Sequence, residues 1–433
     1  MTTAKRVLIV GGGGREHALA WALAKSPQIV PLGGQIFIAP GNGGTALMPQ
    51  VENVPIAAED AAGQLTFALA NNIDLTVVGP EVPLSLGIVD VFQQEGLQIF
   101  GPTQAAAQLE TSKAFARAFM QQNHIPSPHY GTFSDFEAAR QFVLDFGQPV
   151  VVKADGLAAG KGVIVCDDAQ QAEDALRQIM LDRAFGQAGE QIVIEERLEG
   201  PELSVLAFTD GNTVVMMPPA RDHKRIFDGD EGPNTGGMGA VAPVPGVTSA
   251  FLNEIQQTIL QPAVDGMRAA GTPYSGVLYA GLMLTSKGAK VLEFNCRFGD
   301  PEAQTILPLL ESDLFDLLWR CTAGTVDQAE IRWKAGTCVT VVAAAPGYPG
   351  EYPKGIPISG LENVQDAFVF HAGTAIRDDQ IVTAGGRVLC VTATGEDLDT
   401  ALDTAYSNLS KMHFDGIHYR RDIGRTSTDR VEA

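Results

Sequence analysis

Cysteine is scarce in this 433-residue chain: the five present (Cys166, Cys296, Cys321, Cys338 and Cys390) are odd in number, scattered, and never form a C-x-x-C pair. That pattern excludes a disulfide framework and a cysteine zinc site, and leaves these side chains the role of small buried apolar groups. Long hydrophobic runs are missing as well; nowhere do about 18 apolar residues follow one another. The opening MTTAKRVLIVGGGG passes directly into a strand and a loop, without the apolar region and cleavage site of a signal peptide. The expectation is a cytoplasmic protein with no membrane segment. Positive charge is also in short supply, with 30 Lys and Arg against 51 Asp and Glu and a net charge of −21. Such a surface repels nucleic acid and anionic membranes, so neither is expected as a partner. A phosphorylated ligand would have to be small and met by local Lys, Arg and backbone N–H groups. The seven histidines show no metal-ligand spacing, and there is neither a G-x-S-x-G elbow nor a papain-like cysteine context.

What is abundant is glycine, 47 residues, clustered after apolar strands where backbone can approach a ligand closely. The length demands more than one hydrophobic core. Residues 1 to 108 alternate strands (RVLIV, QIFIA, DLTVVG, LQIFG) with helical stretches, which predicts an N-terminal parallel α/β domain with its ligand crevice at the carboxyl ends of the strands. A helix is expected at about 103–122, and HIPSPHY then opens a new unit. Residues 109–330 read as a central body with a small α/β subdomain at about 124–197, and residues 331–425 as a C-terminal, mostly β domain. The stretch 228–247 reads as a long Gly, Pro and Asp-rich loop, and the tail 426–433 as disordered.

Five stretches are candidates for chemistry. The run Gly11–Gly14 resembles a dinucleotide fingerprint but fails it: counted from Gly11 or Gly12, the third glycine position holds Glu16 or His17, and strand QIFIA ends without an acid. A phosphate or sugar-phosphate cradle at a helix N-terminus, a structural turn and a dinucleotide loop remain open. KADGLAAGKG (153–162) misses the P-loop pattern, because three residues separate Gly156 from Gly160 and Gly162 follows Lys161. It joins two strands, as a glycine lid over phosphates or a structural hairpin would. In LEFNCRFGDPE (292–302), Glu293 and Asn295 are two apart on a strand and share a face, offering hard oxygen ligands for a divalent cation. DHKRIFDGDEGPNTGGMG (222–239) sets Lys224 and Arg225 beside a glycine-rich loop, an anion trap or an ordinary polar loop. The strand end VIEERLEGPE could hold an adenine edge and ribose hydroxyls or be a solvated charge run.

GGREHALAW, VGPEVPL, ADGLAAGKGV, DHKR, GPNTGGMGA, YAGLM, EFNCRFGDPE and GGRVLCVTA, in this order across residues 5–424, together resemble the phosphoribosylamine-glycine ligase family of the ATP-grasp superfamily. The resemblance implies an α/β and α+β multidomain fold: a pre-ATP-grasp domain, an ATP-grasp body with a mobile lid, and a C-terminal domain. It implies an ATP-dependent ligation of glycine to 5-phospho-β-D-ribosylamine through a glycyl phosphate, in de novo purine synthesis, with Mg²⁺ or Mn²⁺. ATP contacts then fall to Lys113, Lys153, Gly156, Gly160, Lys161, Gly162, Glu195, Glu196, Leu198 and Glu202, and the metal to Glu293 and Asn295. Phosphoribosylamine and glycine fall to Gly13, Gly14, Asn42, Glu81, Asp222, Lys224, Arg225, Asn234, Thr235, Gly236, Gly237, Arg297 and Asp300. Arg297, Lys224 and Lys161 are the expected catalytic cations. The strand LYAGLML offers no acid for a second metal ion. A monomer is expected, with a transient contact to the enzyme supplying phosphoribosylamine. The rivals are a ligase for another carboxylate and phosphorylated amine, and a nucleotide-binding regulator without catalysis.

Overall fold

The computed structural model describes residues 4–156 and 162–425. Gly160 and Lys161, and the tail at 426–433, lie outside the described residues. The first sheet is parallel, in the order β3 (Val51–Asn53), β2 (Gln35–Pro40), β1 (Arg6–Gly11), β4 (Leu75–Val78), β5 (Ile99–Phe100). Val7, Leu8, Ile9 and Val10 are wholly buried because the sheet is covered on both faces, which is why β1 reads as an unbroken apolar run. Chain order reverses between β1 and β4, so the loops leaving these two strands, Gly11–Gly14 and Gly79–Glu81, bound a crevice. The short strand β3 lies where no strand was expected. The helix expected at about 103–122 is broken into Gln108–Thr111 and Lys113–Gln122, with Ser112 Oγ capping the second by accepting from Phe115 N at 3.0 Å.

The subdomain at about 124–197 is an antiparallel sheet, in the order β6 (Tyr130–Phe133), β9 (Ile192–Glu196), β7 (Val150–Ala154), β8 (Val163–Cys166). Helices Phe136–Phe146 and Ala169–Leu176 share a small core with it. The central sheet is also antiparallel, in the order β11 (Val214–Met216), β10 (Glu202–Asp210), β16 (Ser275–Thr285), β17 (Gly288–Asn295). The expected long loop at 228–247 is partly strand: β13 (Arg225–Phe227) and β14 (Glu231–Asn234) form a hairpin, and β15 (Gly239–Ala242) follows. With β12 (Arg221–Asp222), β15 joins a sheet in the order β12, β15, β18 (Thr337–Ala344), β22 (Arg387–Gly395), β19 (Phe368–His371). The C-terminal sheet thus takes two of its five strands from the middle of the chain. Helix Leu398–Leu409 covers it, and a hairpin of β20 (Thr374–Arg377) and β21 (Gln380–Thr383) extends from it. All five cysteines are free and buried. Among the described residues no helix is long and apolar enough to cross a membrane.

Candidate active site

A cavity of about 470 Å³ opens where the four sheets converge. Its floor is the end of β17. Alternation along that strand turns Glu293 and Asn295 to the same side, and both border the cavity. Glu293 is open to the cavity and makes no hydrogen bond or ion pair with a described residue. Burial alone would raise its pKa, but Lys224, Lys153, Lys113 and Arg297 together bring it below the usual carboxylate range. Asn295 Oδ1 accepts from Arg297 Nη2 at 3.0 Å. Glu293 and Asn295 supply hard oxygen donors, and no group of three His, Cys, Asp or Glu able to hold a cation occurs among the described residues. Two such donors suit a Mg²⁺-like ion that would draw its other ligands from a bound phosphate group and water.

On one side of this strand stand the lysines. Lys113, at the start of its helix, donates to Gly156 O at 3.1 Å, bracing the base of the glycine loop. Lys153, near the end of β7, lies 2.8 Å from Glu195 Oε2 and donates to Leu292 O at 3.3 Å. Burial lowers its pKa, Glu195 draws it back up, and Arg117 pushes it down again. Gly156 and Gly162 both border the cavity.

On the other side Arg297 is held by Glu110 at 2.9 Å and Glu81 at 3.6 Å. Burial works against the guanidinium, but Glu110 and Glu81 outweigh it and raise its pKa. Glu110 also accepts from Cys296 N at 2.6 Å, which ties the start of the GDPE turn to the helix pair below. Lys224 is 2.6 Å from Glu202, and Asp222, on the short strand β12, faces the same space. Burial, with Glu302 and Glu202 nearby, lifts Asp222 to about 7 against the pull of Lys224. Tyr279 hydroxyl donates to Glu302 Oε1 at 2.7 Å. Asp300 accepts from Gln304 at 2.6 Å and pairs with Arg387 at 3.2 Å. Arg387 also donates to Gly236 O at 2.5 Å and Asp300 O at 2.7 Å, so the C-terminal sheet fixes the glycine-rich loop that brings Thr235 and Gly236 to the cavity.

Several sequence expectations are redirected. Gly14 does not border the cavity: a Cβ there would lie 2.5 Å from Gln304 Nε2 and 3.3 Å from Cys390 Sγ. Gly13 lies near Asp300, but its N–H is already taken by Glu16 Oε2 at 2.5 Å, so the first anion at this helix N-terminus is internal. Asn42 is saturated by protein. Its Nδ2 donates to Gly12 O at 3.0 Å and His371 O at 2.8 Å, and its Oδ1 accepts from Gly44 N and Thr45 N at 2.8 and 3.0 Å. It clamps two loops to the C-terminal sheet and leaves no group for a substrate. Arg225 and Asn234 face each other across the β13–β14 hairpin and line a separate groove with Phe227, Tyr348 and His418. Gly237 packs against Pro301 behind the wall. Glu195 borders the cavity, but both its oxygens are engaged by Arg117 and Lys153, so its side chain is a counter-ion rather than a ribose partner. Glu196 pairs with Lys290, and Glu196, Leu198 and Glu202 stand outside the cavity wall.

Sequence reasoning missed Arg15, Glu110, Arg117 and Arg387, all of which border the cavity. Arg15 and Arg387 sit inside quoted motifs, GGREH and GGRVL, where an arginine beside paired glycines was the available signal. Glu110 and Arg117 lie in an ordinary amphipathic helical stretch and carried none.

Three matches to domains of one family run along the chain: phosphoribosylglycinamide synthetase N domain over residues 5–110, its ATP-grasp (A) domain over 111–303, and its C domain over 338–426. A phosphoribosylamine–glycine ligase of Vibrio cholerae is 50% identical over 431 residues, 99% of this chain and 100% of that one. The trifunctional purine biosynthetic protein adenosine-3 of Gallus gallus is 52% identical over 97% of this chain, which spans 42% of that protein's length. Among solved structures, a phosphoribosylamine–glycine ligase of Thermotoga maritima superposes with a TM-score of 0.85 at 35% identity, covering 96% of this chain and 100% of that one. The biotin carboxylase domain of a Hydrogenobacter thermophilus 2-oxoglutarate carboxylase, crystallised with MgADP, shares the fold at a TM-score of 0.73 and 18% identity, over 97% of this chain and 92% of that one.

Proposed function

The chain belongs to the phosphoribosylglycinamide synthetase family, and on that premise we propose how its cleft residues divide the work. It is an ATP-dependent carboxylate–amine ligase of de novo purine synthesis, joining glycine to 5-phosphoribosylamine, and its family uses ATP with a divalent metal. The observation that carries the division of roles is the Glu293/Asn295 pair, open to the cavity and surrounded by Lys113, Lys153, Lys224 and Arg297.

A carboxylate resists attack by an amine because its leaving group would be oxide. Transfer of the γ-phosphoryl group to a glycine oxygen converts that leaving group to phosphate. The amine of phosphoribosylamine then attacks the glycyl carbon, phosphate departs, and the nitrogen gives up a proton. No enzyme nucleophile is required, so the protein's tasks are positioning and charge stabilisation. Lys113 and Lys153, together with Lys161, hold the ATP phosphates, and Glu293 with Asn295 would hold Mg²⁺ or Mn²⁺, which would supply charge neutralisation to the phosphate oxygens. Arg297 and Lys224 face the transferring group from the opposite side. Asp222, whose carboxyl is pushed up by burial and by Glu302 and Glu202, is suited to meet an ammonium or take up the proton released at nitrogen. Glu81, Thr235, Gly236 and Asp300, with Arg15 and Arg387 behind them, form the end of the cavity assigned to the phosphoribosyl group.

We also assign the enzyme to the cytoplasm as a monomer that transiently meets its phosphoribosylamine supplier. ADP release is measured with glycine and phosphoribosylamine together, with each omitted, and with other amino acids. Turnover confined to the complete pair is expected; release with a different pair and none with this one overturns the assignment. Glu293→Ala is expected to fold and lose turnover by at least about 100-fold; normal turnover removes the metal role.

A further inference from the structure

Arg117 is, with Arg420, one of the two largest fully buried side chains among the described residues, 2% exposed, in a helix that carries no recognised motif. Its guanidinium is fully employed. Nε and Nη2 grip Glu195 at 2.6 and 2.8 Å, a bidentate pair, while Nη1 and Nη2 donate to Val291 O and Leu292 O at 2.9 and 2.6 Å. Glu195 Oε2, gripped in this way, also receives Lys153 at 2.8 Å, and Lys153 reaches the same Leu292 carbonyl. One arginine therefore joins the lid sheet, through Glu195 on β9, to the backbone immediately before Glu293 on β17.

The charges matter as much as the bolts. A Lys153–Glu195 pair alone would be neutral, with the ammonium turned toward its own carboxylate. With Arg117 present the three groups sum to one positive charge, and Glu195 is satisfied without monopolising Lys153. We propose that Arg117 is a positioning residue for nucleotide binding: by gripping both oxygens of Glu195 it offsets that carboxylate's charge, so that the Lys153 ammonium is not held by Glu195 alone and can turn to the ATP phosphates. The inference rests on Lys153 being a phosphate contact, as assigned above.

The test measures binding of a non-hydrolysable ATP analogue by calorimetry, together with kcat and KM for ATP, and thermal unfolding to verify folding. Lys153→Met tests the underlying assignment. If it leaves ATP binding unchanged, the reading of Lys153 fails, whatever Arg117 does. Given a loss there, Arg117→Met is expected to weaken analogue binding on the order of ten-fold, the scale of losing one charge at short range in a partly screened site. KM for ATP rises accordingly, and KM for glycine stays within about two-fold. Arg117→Met combined with Glu195→Gln removes both charges, leaves Lys153 unopposed, and is expected to recover binding to within about three-fold of the parent. Failure of the double variant to recover, in a folded protein that Arg117→Lys does not restore either, shows that Arg117 only bolts the carbonyls and overturns the proposal. Unchanged binding in Arg117→Met overturns it directly.

Discussion

Acidification should loosen the seam between the first helix and the C-terminal sheet. His17 and His371 meet there, 7% and 6% exposed, with ring centroids 5.7 Å apart. His17 Nδ1 accepts from His371 N at 2.9 Å, and His371 Nδ1 lies 3.1 Å from Thr374 Oγ1. The Phe370 ring packs edge-on against His17 with its centroid 5.7 Å away, and Trp21 packs in turn on Phe370. Burial, and then the neighbouring His371, lower His17 to about 3; burial lowers His371 to about 4. Both folded values lie below the unfolded 6.5, so between about pH 4 and 6.5 the unfolded chain binds more protons. Stability therefore rises with pH through that window and is lost as the solution is acidified. At pH 5 an unfolded imidazole is almost wholly protonated while a buried one is not, a difference of about 2 kcal/mol for each histidine relative to pH 7. This figure is insensitive to the folded value as long as it stays well below 5. Urea unfolding at pH 7 and pH 5 measures the loss. His17→Asn keeps an acceptor for the His371 N–H and removes the titration, so its loss on going to pH 5 should be smaller by about 2 kcal/mol. Equal losses in parent and variant would refute the assignment of this seam as the acid-sensitive element.

Asn42→Ala should cost about 2–4 kcal/mol in stability, because the carbonyls of Gly12 and His371 and the N–H groups of Gly44 and Thr45 lose their partner inside the protein. Its KM values, measured in the folded fraction, should stay within a few-fold; a large selective rise in KM for phosphoribosylamine would return Asn42 to the substrate site. Gly14→Ala forces a methyl against Gln304 and Cys390, and denaturant unfolding should register a loss of about 1–3 kcal/mol. A variant as stable as the parent would show that the Gln304 amide simply swings aside.

Strands such as β1 and β17 were legible because burial on both faces, or alternation over a buried face, leaves a direct mark in residue pattern. That Glu293, Asn295 and Lys153 line one cavity was legible because each sits in a local motif whose pattern is visible at short range. Arg117 was not, since what defines it is a carboxylate 78 residues away and a carbonyl 174 residues away. Asn42 was read as a ligand because a loop asparagine looks free until its partner 329 residues on is in place. Strand β15 was hidden in a glycine-rich stretch because its partner is β18, about a hundred residues later, and β12 has only β15 to pair with. Arg225 and Asn234 stood beside true cavity residues in sequence, and a hairpin turned them to a different groove.

The borrowing of β12 and β15 by the C-terminal sheet sets a timetable for synthesis. A ribosome that has released β17 has still to make β18 and β22, which complete the sheet that β12 and β15 join beside Asp222, Lys224, Thr235 and Gly236. Arg387, the tie that holds the Gly236 carbonyl, emerges about 90 residues after Glu293. The nascent protein therefore carries Lys113, Lys153, Glu293 and Asn295 well before it can enclose them. The last hundred residues act as the closing step of cleft assembly, so a truncation after the central sheet would forfeit a wall of the reaction chamber rather than an appendage.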